Sequence, residues 1–376
     1  MRVGVNTLFL VPGDVGGTEV YLRENLKEMI PGNPDDTFVL FTSEDNDASL
    51  RRDLDKAGNV EFIQLHFRSG IRPLRIIAEQ TILPWTLRKQ SLDVMWSPGY
   101  TAPLLCSCPQ VVTIHDLQYK SHPDDLSFLE RITLDFLVKN ACRRCDAIIA
   151  VSEFSKSEIV RFGFAPADKI AVIYEGVDPG FGEPSSGDIS RLVKLPPQTP
   201  YILCVAHTYP HKQVHVLVQA FGLIMDDIDH HLVLVGRPRR GEPELRRSID
   251  LLNKQDRVHR INDLNYNDLK AVFQHADLFV LPSAYEGFGL PVLEAMLAGI
   301  PVVTTERASL PEVGGDHAYF VRKDTPEGLA ETIREALGLS RQELEKLILE
   351  GKSWARSFSW ERSAAQTIKV LHTLMS

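Results

Sequence analysis

The sequence has no long apolar segment. Nowhere do about 18 uncharged apolar residues follow one another, the length that a helix needs to cross a bilayer. Met1 to Val5 enter a strand pattern directly, without the basic segment, apolar stretch and small-residue cleavage site of a secretion signal. We therefore expect neither a membrane-spanning helix nor a secretion signal, and a cytoplasmic location.

The sequence also lacks an excess of basic residues. It has 41 Lys and Arg against 50 Asp and Glu, a formal net charge of −9. Because a basic face that neutralises phosphates supplies most non-specific affinity for nucleic acids, we expect no nucleic acid partner.

Cysteine is scarce, with five residues at Cys106, Cys108, Cys142, Cys145 and Cys204. An odd number in a chain of this length argues against a disulfide framework, so we expect free thiols. The alternative is a zinc site made by the first four thiolates. The CxC spacing of Cys106 and Cys108 is poor for metal ligands, and we expect no metal.

Short runs rich in Val and Ile alternate with longer helical patterns along the whole chain, which is typical of parallel sheets with crossover helices. The fold class is therefore α/β, and 376 residues at roughly 150 per domain predict two domains. Strands are predicted at Val3–Phe9, Phe38–Thr42, Phe62–Leu65, Val94–Trp96, Val111–Ile114, Ala147–Val151, Ile170–Ile173, Tyr201–Val205, Leu232–Val235, Leu278–Leu281 and Val302–Thr304.

The segment Pro179–Pro200 is rich in Gly, Pro and Ser and breaks both patterns, so it marks the domain boundary. We assign residues 1–180 and 198–358 to two Rossmann-like domains whose parallel sheets face each other across a cleft. Ligands bind beyond the carboxyl ends of parallel strands, so functional residues are expected just after the strands.

A glycine-rich turn, with Gly13, Gly16 and Gly17, follows the first strand and precedes a helical pattern. Such glycines let the backbone approach an anion at a helix N-terminus. The turn is not a GxGxxG motif, and a tight strand-to-helix connection explains it equally well.

His115 and Asp116 follow the strand that ends at Ile114. A histidine at the tip of a parallel strand can donate a hydrogen bond to a substrate hydroxyl. The alternative is a histidine that satisfies a loop carbonyl.

Lys212 follows the strand Tyr201–Val205 and precedes a helix predicted over Val214–Leu223. An ammonium at this turn can neutralise a diphosphate. The alternative is a solvated surface lysine.

The most informative segment is 281–299, a strand, a glycine-hinged loop and a short helix with Pro291 at its start and Gly299 beyond its end. The amides of Phe288–Leu290 can receive an anion at this helix N-terminus. Glu286 in the loop and Glu294 in the helix can accept paired hydrogen bonds from vicinal diols, as in a ribose and a sugar.

Four motifs in this order resemble the retaining glycosyltransferases of family 4, which have the GT-B fold. They are GGTE at Gly16–Glu19, IHD at Ile114–Asp116, AVSEFSKSEI at Ala150–Ile159 and EGFGLPVLE at Glu286–Glu294. The resemblance also implies that the helix at about 360–376 crosses back onto the first domain.

The resemblance implies roles for residues in both domains. Glu294 matches the acid that holds the nucleotide ribose, and Glu286 matches the acid near the donor sugar. The implied contacts with the donor also include the backbone of Phe288, Gly289 and Leu290, the phosphate-binding Lys212, the diphosphate-flanking Gly16 and Gly17, and His115 beside the sugar.

The sequence departs from the family at two positions. Where Gly and Arg are frequent five residues before the lysine, this chain has Ala206 and His207, so a charge is missing unless His207 is protonated. Asn262 stands where Gly is common near the base, which leaves the base preference open.

The activity implied is transfer of a sugar from a nucleoside diphosphate to an acceptor hydroxyl with retention, without a metal or cofactor. GDP-mannose and UDP-glucose are the leading donors, and a glycan or lipid-linked acceptor in polysaccharide biosynthesis is expected. The alternatives are a sugar-nucleotide epimerase or a phosphorylase on the same fold, or a nucleotide-sugar-binding protein that has lost catalysis.

The acceptor is expected to contact the loops Arg68–Leu87 and Tyr100–Leu105 of the first domain. Phe67–Ile77 mixes three arginines with bulky apolar residues, as in segments that rest on anionic lipid at the inner face of a membrane. The alternative is an ordinary helix start whose apolar face belongs to the core.

Overall fold

A computed structural model describes residues 1–54, 57–123, 126–185, 192–193, 195–196 and 198–375. The chain divides into unit 1, made of Met1–Gly176 and Ser359–Ser376, and unit 2, Val177–Phe358. The change of unit therefore lies just before the segment Pro179–Pro200, of which residues 186–191, 194 and 197 lie outside the described part of the chain.

Unit 1 contains a parallel sheet of seven strands in the order β3-β2-β1-β4-β5-β6-β7. Its strands are apolar and mostly buried on both faces, as expected where helices cover a parallel sheet. They are β1 (Arg2–Asn6), β2 (Thr37–Thr42), β3 (Val60–Gln64), β4 (Val94–Ser97), β5 (Gln110–Ile114), β6 (Ala147–Ala150) and β7 (Ile170–Val172).

Two helices of unit 1 begin at serines whose side chains cap them. Ser127 caps α6 through a capping box with Glu130, and the Ser152 side chain accepts from the amide of Ser155 at the start of α7. The helices are α1 (Gly17–Gly32), α2 (Asp47–Leu54), α3 (Arg72–Ile77), α4 (Leu83–Leu87), α5 (Gln118–Ser121), α6 (Phe128–Arg144) and α7 (Glu153–Arg161), with a π-helical turn at Ala78–Ile82.

Unit 2 contains a parallel sheet of six strands in the order β10-β9-β8-β11-β12-β13. Its strands are β8 (Tyr201–Val205), β9 (His231–Val235), β10 (Val258–Ile261), β11 (Leu278–Leu281), β12 (Val302–Thr305) and β13 (Tyr319–Val321). The two edge strands, β10 and β13, are absent from the predicted set. The other eleven strands, and with them the α/β class, are confirmed.

Helices cover the sheet of unit 2, and α8 contributes most of its inner residues to the core. The helices are α8 (Val214–Ile224), α9 (Glu242–Asp250), α10 (Tyr266–Gln274), α11 (Leu290–Ala298), α12 (Leu310–Gly314), α13 (Pro326–Leu337) and α14 (Arg341–Ala355). The helix predicted from Val214 is thus present, and Gly299 caps α11 in the left-handed region, as its position predicts.

Helix α15 (Trp360–Thr373) belongs to unit 1, where it packs against α1. The Trp360 ring meets the fully buried Tyr21 ring edge-on at 6.2 Å, and His372 Nε2 donates to Asp36 Oδ2 at 3.0 Å. No helix among the described residues is long and apolar enough to span a membrane.

Candidate functional site

Two loops of unit 2 bring Lys212 and Glu286 together. Lys212 ends a 3-10 turn after β8, and Glu286 lies in the loop after β11. The two loops are joined by a backbone hydrogen bond in which the amide of Ala284 donates to the carbonyl of His211 at 2.8 Å. Lys212 Nζ donates to Glu286 Oε2 at 2.6 Å, and Ser283 Oγ donates to Glu286 Oε1 at 2.7 Å. Both carboxylate oxygens of Glu286 are therefore occupied by donors.

This ion pair is mostly shielded from water, with side-chain exposures of 21% for Lys212 and 11% for Glu286. The two opposite charges cancel as long as no ligand is bound. An incoming diphosphate would add negative charge beside an ammonium that the contact with Glu286 already holds in place. Lys212 is thus not the solvated surface lysine of the alternative interpretation.

The loop after Glu286 ends at the N-terminus of α11. Gly289 precedes this helix with φ 114° and ψ 43°, a conformation that favours glycine. The Ser309 hydroxyl lies 2.6 Å from the carbonyl oxygen of Phe288 and 3.0 Å from that of Glu286, which fixes the loop. The amides of Gly289 and Leu290 have no acceptor among the described residues, so they remain available for an anion.

Glu294 lies inside α11, apart from the Lys212 pair. It has no hydrogen-bond or ion-pair partner among the described residues. Burial, helped by the negative charge of Asp178, raises the pKa of Glu294 to about 8. A carboxyl group with this pKa is largely protonated at neutral pH, so it can both donate to and accept from a hydroxyl.

His207 is held as a neutral imidazole. The backbone N–H of Arg237 donates to its Nδ1 at 3.0 Å, so this nitrogen carries no proton. Burial, together with the charges of Arg239, Arg237 and Lys212, lowers the pKa of His207 below its ordinary value. The condition under which His207 would replace the missing arginine is therefore not met: the residue offers an Nε2–H donor and no charge.

Arginines from the loop after β9 bring positive charge to this region instead. The Arg239 amide donates to Thr208 Oγ1 at 2.6 Å, and the Thr208 amide donates to the Arg237 carbonyl at 3.2 Å, which ties this loop to the one after β8. Asn262, the second departure from the family, lines a cavity of about 510 Å³ with Pro238 and Arg260.

In unit 1, His115 uses both ring nitrogens inside the protein and is only 5% exposed. Its Nε2 lies 2.9 Å from the carbonyl oxygen of Pro98, and its Nδ1 lies 3.1 Å from Glu175 Oε1. A carbonyl oxygen only accepts, so Nε2 is the donor in the Pro98 contact. The Pro98 contact is the one that the alternative interpretation expects, and contact of His115 with a donor sugar stays a prediction.

The glycine turn of unit 1 leaves open space at its predicted anion site. Gly16 adopts φ 61° and ψ −132° directly before α1, and a Cβ built on Gly16 or Gly17 would meet no atom within 4 Å. Tyr21, the fifth residue of α1, lies close to this turn, and its ring meets the His115 ring edge-on at 4.8 Å. Gly16, Gly17 and His115 therefore belong to one neighbourhood of unit 1.

Three residues that shape these sites were not predicted. Glu175 and Ser283 each follow a strand of a parallel sheet, so the strand-end rule that selected His115 would also have selected them. Ser309 precedes α12 and carries no comparable signal, because only the folded chain brings it against the Phe288 carbonyl.

The cysteines do not assemble a metal site. All five are free thiols, as expected. The Cys106 and Cys108 sulfurs lie 3.6 Å apart, whereas Cys142 and Cys145 are buried in a different apolar cluster. Among the described residues no three His, Cys, Asp or Glu side chains are grouped as metal ligands.

Two family models match the sequence. "Glycosyltransferase Family 4" matches residues 15–181, and "Glycosyl transferases group 1" matches residues 188–354. Between them the two matches span most of both units.

The chain is similar to several curated bacterial proteins. It is 28% identical to the O-antigen chain mannosyltransferase RfbU of Salmonella typhimurium, over 60% of this chain and 59% of that protein. It is 28% identical to O-antigen chain mannosyltransferase B of Escherichia coli, over 81% of this chain and 81% of that protein. It is 30% identical to the MMP alpha-(1->4)-mannosyltransferase of Mycolicibacterium hassiacum, over 62% of this chain and 55% of that protein. The chain thus spans 55% to 81% of the length of these relatives.

Solved structures share the fold. Anabaena Alr3699/HepE in complex with UDP-glucose has a TM-score of 0.78 at 21% identity, covering 99% of this chain and 100% of that one. Sucrose-phosphate synthase from Thermosynechococcus elongatus has a TM-score of 0.77 at 19% identity, covering 100% and 99%. Matched over both units by family models and over its whole length by this fold, the chain is a member of the glycosyl transferases group 1 family with the GT-B fold.

Proposed function

We propose that the protein is a retaining, metal-independent glycosyltransferase that moves a hexose from a nucleoside-diphosphate sugar to a hydroxyl of a glycan or lipid-linked acceptor in polysaccharide biosynthesis. The observation that carries this proposal is the Lys212–Glu286 pair beside the unoccupied amides of Gly289 and Leu290. A fixed ammonium and a helix N-terminus favour a diphosphate, and a carboxylate at the same place favours sugar hydroxyls.

GDP-mannose is the first candidate donor and UDP-glucose the second. Three relatives named above are mannosyltransferases, which supports mannose. The cavity lined by Asn262 and Arg260 is where we place the discrimination between bases.

In the proposed mechanism, Lys212 and the α11 amides bind the diphosphate and stabilise the charge that it gains as the bond to the anomeric carbon breaks. Glu286 positions the sugar through its hydroxyls, and Glu294 holds the ribose. The acceptor oxygen forms the new bond on the face from which the diphosphate leaves, and its proton passes to a phosphate oxygen of the leaving group. This route uses no nucleophile of the protein.

In the same proposal, Gly16 and Gly17 let the backbone of unit 1 approach the diphosphate, and His115 contacts the donor sugar. His115 would then have to exchange one of its present partners, the Pro98 carbonyl or Glu175, for a sugar hydroxyl. The carbonyl contact is the one we expect to give way, since the ring keeps its orientation through Glu175.

The test is a panel of nucleotide sugars with the full chain, with and without a metal chelator, and with hydrolysis and transfer measured separately. The proposal requires release of a nucleoside diphosphate from one donor, unaffected by the chelator, and a product whose anomeric configuration by NMR is that of the donor. An inverted product would overturn the retaining mechanism, and loss of activity with the chelator would overturn metal independence.

The competing functions give different products in the same panel. An epimerase changes the sugar and keeps it on the nucleotide, and a phosphorylase consumes or releases a sugar phosphate. A protein that only binds would shift its melting temperature with a nucleoside diphosphate and release nothing.

A further inference from the structure

Exposed apolar side chains are concentrated in one part of unit 1. Ten of the seventeen large hydrophobic side chains that are exposed in the described part of the chain lie in three short stretches. Scattered exposed apolar residues are ordinary, whereas a contiguous group marks a contact surface. The ten are 43% to 74% exposed: Ile71, Leu74, Ile77, Ile82, Trp85, Leu105, Phe128, Leu129, Ile132 and Phe136.

Side-chain contacts join these three stretches. Arg72 Nη1 lies 2.9 Å from Glu130 Oε1, which ties α3 to the first turn of α6. At the other end of α6, Arg144 donates to the Leu104 carbonyl at 3.2 Å, and the Leu104 amide donates to Gln80 Oε1 at 3.0 Å. Both ends of α6 are thus connected to the segment 71–89. We call the segment 71–89, Leu105 and α6 the apolar-basic face.

The apolar-basic face has the opposite charge balance from the whole chain. The stretch 68–89 holds five basic residues and one acidic residue, and the stretch 127–144 holds four basic and two acidic residues, while the chain carries −9. The one acid of the first stretch, Glu79, is buried and accepts from Asn6 and Thr101. Positive charge therefore dominates this face.

The acids of α6 are also compensated. Glu130 pairs with Arg72, and Asp135 pairs with Lys120 at 2.8 Å. Two cations lie directly beside exposed rings: Lys89 Nζ is 3.3 Å from the centre of the Trp85 ring, and the Arg131 guanidinium is 5.6 Å from that of Phe128. Aromatic rings flanked by Lys or Arg are typical of segments at a lipid–water interface, where ring and stem enter the lipid and the charge stays with the headgroups.

We infer that the apolar-basic face binds the surface of an anionic lipid bilayer, with Trp85 and Phe128 in the acyl boundary and the neighbouring cations among the headgroups. This extends the segment Phe67–Ile77 that the sequence indicates to a second helix, α6, and to Leu105. Of the segment itself, Phe67 packs in the core while Ile71, Leu74 and Ile77 are exposed, so it is not simply the buried helix start of the alternative.

The face coincides with the loops 68–87 and 100–105 that are expected to contact the acceptor. An acceptor with a lipid anchor would then meet the enzyme in the bilayer that holds both. This consequence rests on the proposed function, whereas binding to the bilayer does not, because it is measured without a nucleotide sugar.

The experiment is co-sedimentation of the full chain with vesicles, one set of pure phosphatidylcholine and one set of equal parts phosphatidylcholine and phosphatidylglycerol, at low and at high salt. We expect binding to the anionic vesicles at low salt and its loss at high salt. Each charge removed by Lys89→Gln or Arg131→Gln should weaken binding about fivefold. The matched control Arg341→Gln, an exposed arginine of unit 2, should bind like the wild type.

The apolar part has its own control. Phe128→Ser should weaken binding more than either charge variant, while Leu251→Ser, an 82% exposed residue of unit 2, should change nothing. Trp85 is the most exposed of the four tryptophans, so its emission should shift to shorter wavelength on anionic vesicles, and Trp85→Phe should remove that shift.

Three outcomes would overturn the inference. One is absence of binding to anionic vesicles at low salt, and another is equal binding to neutral and anionic vesicles. The third is an oligomer in size-exclusion chromatography that Phe128→Ser dissociates, since the face would then be covered by a second copy. A failed donor panel with intact vesicle binding would reject the proposed transferase and leave this inference standing.

Discussion

In unit 2, Lys212 lies 2.6 Å from Glu286 on the neighbouring loop, and Glu294 has no partner among the described residues. In unit 1, by contrast, both ring nitrogens of His115 contact other residues of the protein, the Pro98 carbonyl and the Glu175 carboxylate. Unit 2 thus holds a buried carboxyl group, Glu294, and two helix amides, those of Gly289 and Leu290, that have no partner among the described residues, whereas both ring nitrogens of His115 in unit 1 already have one. The difference shows that a polar residue at the end of a strand can either bind a ligand or stabilise the fold, and that only its contacts in the folded protein distinguish the two roles.

The largest effect that would test this difference between the two units is expected at Lys212. Lys212→Ala should lower turnover on a saturating donor by about a hundredfold or more, because it removes a preorganised charge from the leaving diphosphate. Lys346→Ala, an exposed lysine of the same unit, is the control and should leave turnover unchanged. Near-normal turnover of Lys212→Ala would mean that the diphosphate is held elsewhere, with the arginines at 237, 239 and 240 as the first place to look.

Substitutions of Glu286 and Glu294 should change different kinetic and binding constants. Glu286→Ala should lower kcat about tenfold to a hundredfold, as expected for a charge-assisted hydrogen bond lost near the reacting sugar. Glu294→Ala should instead raise the Kd for the nucleoside diphosphate about tenfold. Steady-state kinetics and calorimetry separate the two effects, and variants that both bind and turn over normally would refute the site assignment.

Glu175 tests whether the pair in unit 1 is structural. Glu175→Ala leaves His115 Nδ1 without its buried partner and should lower the free energy of unfolding by about 1–3 kcal/mol. Glu28→Ala, on the exposed side of α1, should change it little. Denaturant unfolding measures both. If Glu175→Ala left the free energy of unfolding unchanged but lowered kcat strongly, the His115–Glu175 pair would have a catalytic and not a structural role.

Glu294 also predicts how stability depends on pH. Its pKa is about 8 in the folded protein and near 4.5 when unfolded, so folding favours the neutral acid. This contribution is complete below the unfolded pKa and is lost as the pH rises through the folded pKa. The melting temperature of Glu294→Gln minus that of the wild type, both measured without nucleotide, should therefore increase from about pH 5 to about pH 8. The exposed Glu331→Gln should show no such trend, and a constant difference for Glu294→Gln would contradict the raised pKa.

The smallest effect is expected at His207. As a neutral donor it contributes one ordinary hydrogen bond, so His207→Ala should reduce turnover about threefold to tenfold. Because the pKa of His207 is lowered, the reduction should change less between about pH 6.5 and about pH 8 than the titration of an unperturbed imidazole would give. A loss that grows toward the lower pH would mean that His207 is protonated there and supplies the charge that the missing arginine would carry.

Much of the fold could be predicted because buried parallel strands are short apolar runs. The strand Tyr201–Val205 was predicted at its observed bounds. The strands β10 and β13 were not, because His259 and Arg260 interrupt the apolar pattern of β10 and because β13 has only three residues. Strand ends likewise pointed to Lys212 and Glu286.

What the sequence could not supply was the set of partners. The spacing of Lys212 and Glu286, 74 residues apart along the chain, does not predict an ion pair, which depends on the order of β8 and β11 in the sheet. The protonation of His207 depends equally on a distant backbone amide, that of Arg237. Long-range hydrogen bonds of this kind decide the charge of a site, and no local pattern encodes them.

The packing of α15 on α1 has a consequence for the order in which the protein matures on the ribosome. Unit 2 is continuous in sequence and can fold as soon as Phe358 has emerged. Unit 1 has to wait, although it is synthesised first, because Trp360 and the rest of α15 cover the face of α1 that bears Tyr21. During that wait the face stays exposed to chaperones and to neighbouring chains. The part of the sequence that is made first is therefore the part that is finished last.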